Sequence, residues 1–299
     1  MTRKTAEQTT FRRLIFLGVL LSLLRALAVS ASGAPNLLVS PFERHVESAI
    51  ESYGTSGGTG AENTDGARCL GGITPHHDAA LAMIVRFYEK LSSRRIKRVW
   101  LFSPDHFRQS RNLVALCGAD WRASGRVLEA DRGVCEFLDE LGIVETNDLM
   151  FKREHGITLH IPLVARYFPS AKIIPIVLDP NIPDIALIML RKRIMDLIAL
   201  DDIIILSMDL SHYKTPEGMA AEDVKTLDVL RGLKFGATRG IDVDAGRAAS
   251  LVLRLFKAMG AKRGVVMEHS DTSEMVGRRI EFGTSYATVL YKTSSSPHP

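Results

Sequence analysis

The stretch Ile73-Thr74-Pro75-His76-His77-Asp78 reads as the end of a buried strand, then a polar turn, then a helix from about Ala79. The pattern returns twice. Arg98-Val99-Trp100-Leu101-Phe102 runs into Ser103-Pro104-Asp105-His106, and Ile203-Ile204-Ile205-Leu206-Ser207 runs into Met208-Asp209-Leu210-Ser211-His212. Three apolar runs therefore each end in histidine and carboxylate. In open α/β sheets, ligands bind beyond the carboxyl ends of the strands. Three such ends in one sheet would point their His and Asp side chains into one cleft.

The rest of the chain fits around these strands. Lys172–Leu178 is continuous in Ile and Val, as expected of a strand buried on both faces. Further strands are expected over 69–74, 112–117, 264–269 and 283–291, the last as an edge or hairpin strand. Helical spacing of apolar residues, with Pro or acidic starts, marks 36–53, 79–92, 131–141, 161–168, 183–199, 216–230 and 245–259. Strands alternating with helices predict a single α/β domain over 36–292. Its three layers would be a mostly parallel or mixed central sheet flanked by helices. Residues 54–68, rich in Gly, Ser, Thr and Asn, read as a loop, and 293–299 as a disordered tail.

The chain has 299 residues, 46% hydrophobic and 24% charged, and a net charge of +4, much of it in the N-terminal flank. Without a long basic run, a nucleic-acid partner is not expected. Residues 1–34 stand apart. Arg3, Lys4, Arg12 and Arg13 precede an apolar run, Leu14 to Leu24, and small residues follow at Val29-Ser30-Ala31 and Ser32-Gly33-Ala34. This is the pattern of a secretory signal peptide, with an uncleaved membrane anchor as the alternative. Either places the domain outside the cytoplasm, periplasmic or extracellular. The three cysteines, Cys69, Cys117 and Cys135, form no CxxC, and buried free thiols are the favoured reading over a disulfide.

Nine histidines are few enough to weigh singly. His45 and His298 have no assigned role. His76, His77, His106, His155, His160, His212 and His269 fall at or beside strand ends, with Asp78, Asp105, Glu154 and Asp209 within three residues of histidine partners. Two histidines and one carboxylate with open positions suit non-haem Fe(II) or catalytic zinc, and the remainder can serve as hydrogen-bonding partners, acid or base. A metal-free His–Asp cleft is the plainer reading. No GxSxG, P-loop or GxGxxG follows a strand, which argues against a serine hydrolase or nucleotide enzyme.

The ordered motifs Pro75-His76-His77, Phe102-Ser103-Pro104-Asp105-His106, Glu154-His155 through His160-Ile161-Pro162, and Ser207-Met208-Asp209-Leu210-Ser211-His212-Tyr213 resemble those of the Memo-like family. The resemblance spans about residues 69 to 291. It implies a class III extradiol dioxygenase-like fold. The family includes a component (AmmeMemoRadiSam system protein B) of a bacterial three-gene set with a radical-SAM protein, which is the partner it implies. By motif position, His76 and His106 are the implied metal ligands, while His155, His160, Asp209 and His212 would line the cleft as acid or base. His77-Asp78 and Phe107 depart from the family pattern. Where the family often has a third-ligand cysteine, alignment places Asp242, or Asp244 if the register is off by two. Both can equally be helix caps. A carboxylate there favours Fe(II), with zinc or copper as alternatives. The expected function is metal-dependent dioxygenase-like or redox chemistry on an unidentified small molecule. The alternatives are a non-catalytic metal- or ligand-binding module and a zinc-dependent hydrolase.

Overall fold

A computed structural model describes residues 37–54, 67–92 and 95–294. The expected leader or anchor, most of the 54–68 loop and the end of the tail lie outside these residues. The described strands are β1 (Leu38–Val39), β2 (Cys69–Thr74), β3 (Arg98–Pro104), β4 (Val114–Leu116), β5 (Trp121–Ala123), β6 (Arg126–Leu128), β7 (Val144–Thr146), β8 (Lys172–Leu178), β9 (Asp202–Ser207), β10 (His212–Lys214), β11 (Ala261–Asp271) and β12 (Gly283–Thr293). The main sheet has the order β10-β12-β2-β9-β3-β8-β4-β7, with β11 also paired to β12, and β1-β5-β6 form a small separate sheet.

The sheet is mixed, as expected. β2, β9, β3 and β8 run parallel side by side, while β4 is antiparallel to β8 and β12 is antiparallel to β2. The three strands singled out by sequence are thus consecutive neighbours of one direction, and their carboxyl ends share one edge. Of the edge-or-hairpin expectation for β12 the hairpin half holds, since it pairs antiparallel with the preceding β11, and the edge half does not: it lies between β2 and both β10 and β11, with its middle fully buried. It also continues through Thr293, which pairs with Ala261, so the expected tail begins later.

Period-two alternation sends successive side chains of these strands to opposite helical layers. Val99, Leu101, Ile203, Ile205 and Val177 join one core with helices Glu43–Tyr53, Leu81–Leu91 and Ile161–Tyr167. Trp100, Phe102, Ile204, Leu206 and Ile176 join the other, with helices Arg132–Asp139, Asp184–Met195 and Gly246–Ala258. Each fully buried large apolar side chain stabilises the fold by about 1.5–3 kcal/mol. Close strand approach requires a glycine at Gly71. Its φ is +122°, and a Cβ there would sit 1.8 Å from the Ile204 carbonyl oxygen of β9.

Cys117 and Cys135 are buried free thiols, and Cys69 is half-buried. Burial raises both buried thiols, Cys135 to about 12, so they remain protonated and inert. Among the described residues, no helix is long and apolar enough to cross a membrane.

Candidate metal centre

The three strand ends bring His76, His106 and Asp209 close together, whereas Asp78 and Asp105 turn elsewhere. Beyond β2, His76 is buried at 3% exposure. Its backbone N–H donates to Asp209 Oδ1 at 3.1 Å, and its Nδ1 shares a hydrogen bond with Ser207 Oγ at 2.8 Å. Beyond β3, the backbone N–H of His106 donates to Glu154 Oε2 at 3.1 Å, and Nδ1 donates to Glu154 Oε1 at 2.5 Å. With both Nδ1 atoms engaged, the Nε2 atoms of His76 and His106 turn to a common point. They lie 3.0 and 3.4 Å from the same oxygen, Asp244 Oδ2. Asp244 comes from the turn before helix Gly246–Ala258, and its other oxygen, Oδ1, is buried without a partner.

His155 completes the group. It opens the short helix His155–Thr158, which Glu154 caps by accepting from the Gly156 N–H. Its ring lies 4.0 Å from that of His106 and 5.0 Å from that of His76, centroid to centroid. Ligand atoms of His76, His106 and His155 lie within 4.8 Å of one another, and so do those of His76, Asp209 and Asp244.

Electrostatics separate the histidines into two kinds. Burial opposes protonation of His76, but Asp209 and Asp244 outweigh it and raise its pKa. His106 is likewise penalised by burial, yet its hydrogen bonds to Asp244 and Glu154 raise it to about 10. Asp244 is held well below the usual carboxylate range: burial opposes ionisation, and His76 and His106 overcome it. His155 goes the other way. Burial, then the neighbouring His106 and His76, lower it to about 3, so it stays a neutral base. Asp209 is raised, chiefly by burial.

Of the two aspartates offered by sequence, the structure places Asp244 rather than Asp242 beside the histidines. Asp242 is not at the histidines: it pairs with Lys214 Nζ at 2.8 Å. Asp244, the alternative register, is the one that faces them. Only the course of the turn around Val243 decides between the two, since both are equally placed to precede the helix. His160 is also displaced from its expected role of lining the opening. It is fully buried, stacked on Tyr88 with centroids 5.8 Å apart, and burial then His76 lower it to about 3. Asp209 and His212 remain beside the site. Asp209 Oδ2 is 3.7 Å from His76 Nε2 and 3.9 Å from His212 Nε2.

The other expected polar neighbours have local roles. Asp105 accepts the Gln109 and Ser110 N–H groups of its own loop. Asp78 pairs with His77 on the surface. His269 pairs with the buried Asp223, away from this group. Sequence reading missed the orienting roles of Ser207 and Glu154. The Glu154-His155 dipeptide was the available signal for the second, and Ser207 had none. It also passed over Gly156, whose missing side chain leaves room for Ser103 and His106: a Cβ would lie 2.2 Å from Ser103 Oγ and 3.2 Å from His106 Cε1.

A family model described as Memo-like protein matches residues 43–290. The chain belongs to the Memo-like family. Its curated relatives are distant. A MEMO1 family protein of Ignicoccus hospitalis is 20% identical over 215 residues, covering 69% of this chain and 75% of the relative. One of Caldivirga maquilingensis is 24% identical, covering 64% and 71%. One of Methanosarcina acetivorans is 25% identical, covering 59% and 69%. Among the described residues of this Memo-like chain, a mixed sheet between two helical layers, with no closed barrel, is the fold that the resemblance implied.

The chemistry of these donors is consistent with a divalent cation, and His76 is common to both candidate ligand groups. Two imidazole nitrogens and a carboxylate oxygen converge with their remaining ring nitrogens already oriented by hydrogen bonds, the arrangement that fixes tautomer and direction in metal sites. The orphaned Asp244 Oδ1 leaves this carboxylate with unused acceptor capacity.

Proposed function

We propose that the chain binds one divalent metal through His76 Nε2, His106 Nε2 and Asp244, and carries out chemistry on a small molecule there. The observation that carries this is the shared approach of both Nε2 atoms to one carboxylate oxygen, with both Nδ1 atoms held from behind. Two histidines and a carboxylate suit Fe(II) first, then zinc. Replacing the family's thiolate by Asp244 moves the site away from copper(I), which prefers soft ligands.

A bound cation supplies Lewis acidity and, if iron, electron transfer. The protein supplies the rest. Ser207 and Glu154 hold the two rings in place. His155, half-buried and held neutral, presents an unprotonated ring nitrogen to the site. Asp209 and His212 form a second acid–base pair beside His76. Phe107 is exposed, its ring edge-on to His155 at 5.9 Å, and Arg153 lies over its face. These two give the opening an aromatic and cationic lip. The proposal places this site outside the cytoplasm, on the strength of the basic and apolar order of residues 3–24.

The same donor set would hold zinc, so hydrolysis is the reading to test against redox chemistry. The protein reconstituted with iron without oxygen is given a catechol, and oxygen uptake is followed. The zinc form is given amide and ester substrates. Oxygen consumption dependent on His155 supports the dioxygenase-like reading, and cleavage by the zinc form replaces it with hydrolysis. Metal bound tightly with neither turnover leaves a binding module.

A further inference from the structure

Far from the metal centre, helices Asp184–Met195 and Gly246–Ala258 and the turn at Phe235 enclose a second concavity. It is about 340 Å³ and is lined by Ile188, Arg191, Phe235, Arg254, Lys257 and Ala258. Arg254 to Ala258 lie roughly 15–20 Å along the helix axis from Asp244. Three of the six lining residues are cations, and none is acidic. Among the described residues, Arg191, Arg254 and Lys257 form no ion pair. Asp184 is the acid whose field reaches Arg254, but its oxygens are held by Arg247 and Arg239.

The Arg254 guanidinium lies 4.1 Å over the Phe235 ring, which fixes it in the wall and occupies that aromatic face. Lys257 Nζ lies 5.4 Å from the same ring. Arg254 Nε is buried with no acceptor. Unpaired like charges and an unsatisfied N–H in one concavity are costly unless an anion enters it. A phosphate group has the charge and the acceptor oxygens for this arrangement.

The adjoining surface indicates where that phosphate comes from. Ile185, Ile188 and Met189 are all exposed on the outer face of helix Asp184–Met195, at i, i+3 and i+4. That apolar row runs directly into Ile188 and Arg191 of the cavity. Apolar side chains flanked by cations are what an anionic bilayer surface receives, with the apolar groups in the acyl boundary and the cations at headgroup phosphates. A soluble phosphate ester would need the cavity but not the exposed isoleucines.

We propose that this face docks on an anionic phospholipid surface, with a headgroup phosphate in the Arg191–Arg254–Lys257 cavity and Ile185, Ile188 and Met189 in the interface. The full chain is mixed with vesicles of phosphatidylcholine alone, or with added phosphatidylglycerol, and sedimented. Acylation of Lys257 is followed in parallel as a local readout, independent of any contribution from residues 1–34. The expected result is protection of Lys257 by the anionic vesicles only, reversed by salt. Arg191→Glu with Lys257→Glu weakens sedimentation about 30-fold, near a factor of five for each cation lost. Ile185→Ser with Ile188→Ser, which keeps the cations, weakens it about tenfold. Equal response to both vesicle types, no protection of Lys257, or binding unchanged in both variants overturns the proposal. Protection by inorganic phosphate without vesicle binding also overturns it and leaves a site for a soluble anion.

Discussion

The Glu154 carboxylate accepts the Nδ1–H of His106 at 2.5 Å and, from the same oxygen, the Gly156 N–H at 3.1 Å. One side chain thus orients a candidate ligand and caps the helix that begins with His155. Glu154→Gln keeps an acceptor for the cap but weakens the hold on the imidazole. Loss of such a partner costs 10–100-fold in metal affinity as a rule. Competition with a chelator should show a drop of about that size, with little change in melting temperature.

Asp242 and Asp244 are two residues apart and have different neighbours. Asp242 meets Lys214 at the half-exposed surface, and Asp244 meets His76 and His106. Asp244→Asn should therefore lower metal affinity by orders of magnitude. Asp242→Asn should leave it unchanged and cost less than about 1 kcal/mol of stability, as surface pairs do. Isothermal titration with zinc, alongside thermal denaturation, separates the two.

Gly156 packs where no side chain fits. In Gly156→Ala the new Cβ must displace Ser103 Oγ and press on His106. The expected cost is about 1–3 kcal/mol from overpacking, read by urea unfolding. The metal affinity should fall as well, because His106 lies in the path of the relaxation.

His269 Nε2 donates to Asp223 Oδ2 at 2.8 Å, and Asp223 Oδ1 accepts from Ser211 and Ser285. The hydrogen bond to Asp223 raises the pKa of His269 against the cost of burial, with Glu274 and Asp271 adding to it. A raised folded-state pKa stabilises the protein fully below the unfolded value of about 6.5. That contribution is lost as pH rises through the folded value. The wild type should thus lose more stability than His269→Gln between mildly acidic and alkaline pH. Parallel slopes of melting temperature against pH in the two proteins would contradict this.

The sequence showed the sheet core plainly because β2, β3, β8 and β9 are six or seven residues of nearly unbroken apolar character. The three-residue strands β5, β6, β7 and β10 carry too few alternations to register against turns. The alternation over 283–291 suits an edge or hairpin strand; β12 does pair antiparallel with the preceding β11, but β2 on its other side makes it interior to the sheet. At the site, His76, His106 and Asp209 were legible from the strand ends. His155 and His160, five residues apart, were read as one cleft-lining pair. A break between helices His155–Thr158 and Ile161–Tyr167 instead turns His160 onto Tyr88. Asp244 was not separable from Asp242, because a turn of that length has no periodicity to set the register.

The most direct test of the account is elemental analysis of the domain purified without oxygen, beside a His76→Ala/His106→Ala variant and with folding of both verified. The account predicts about one iron or zinc per wild-type chain and none in the variant, as for a single mononuclear site. Equal metal content in both proteins, or none in either after reconstitution, would contradict it.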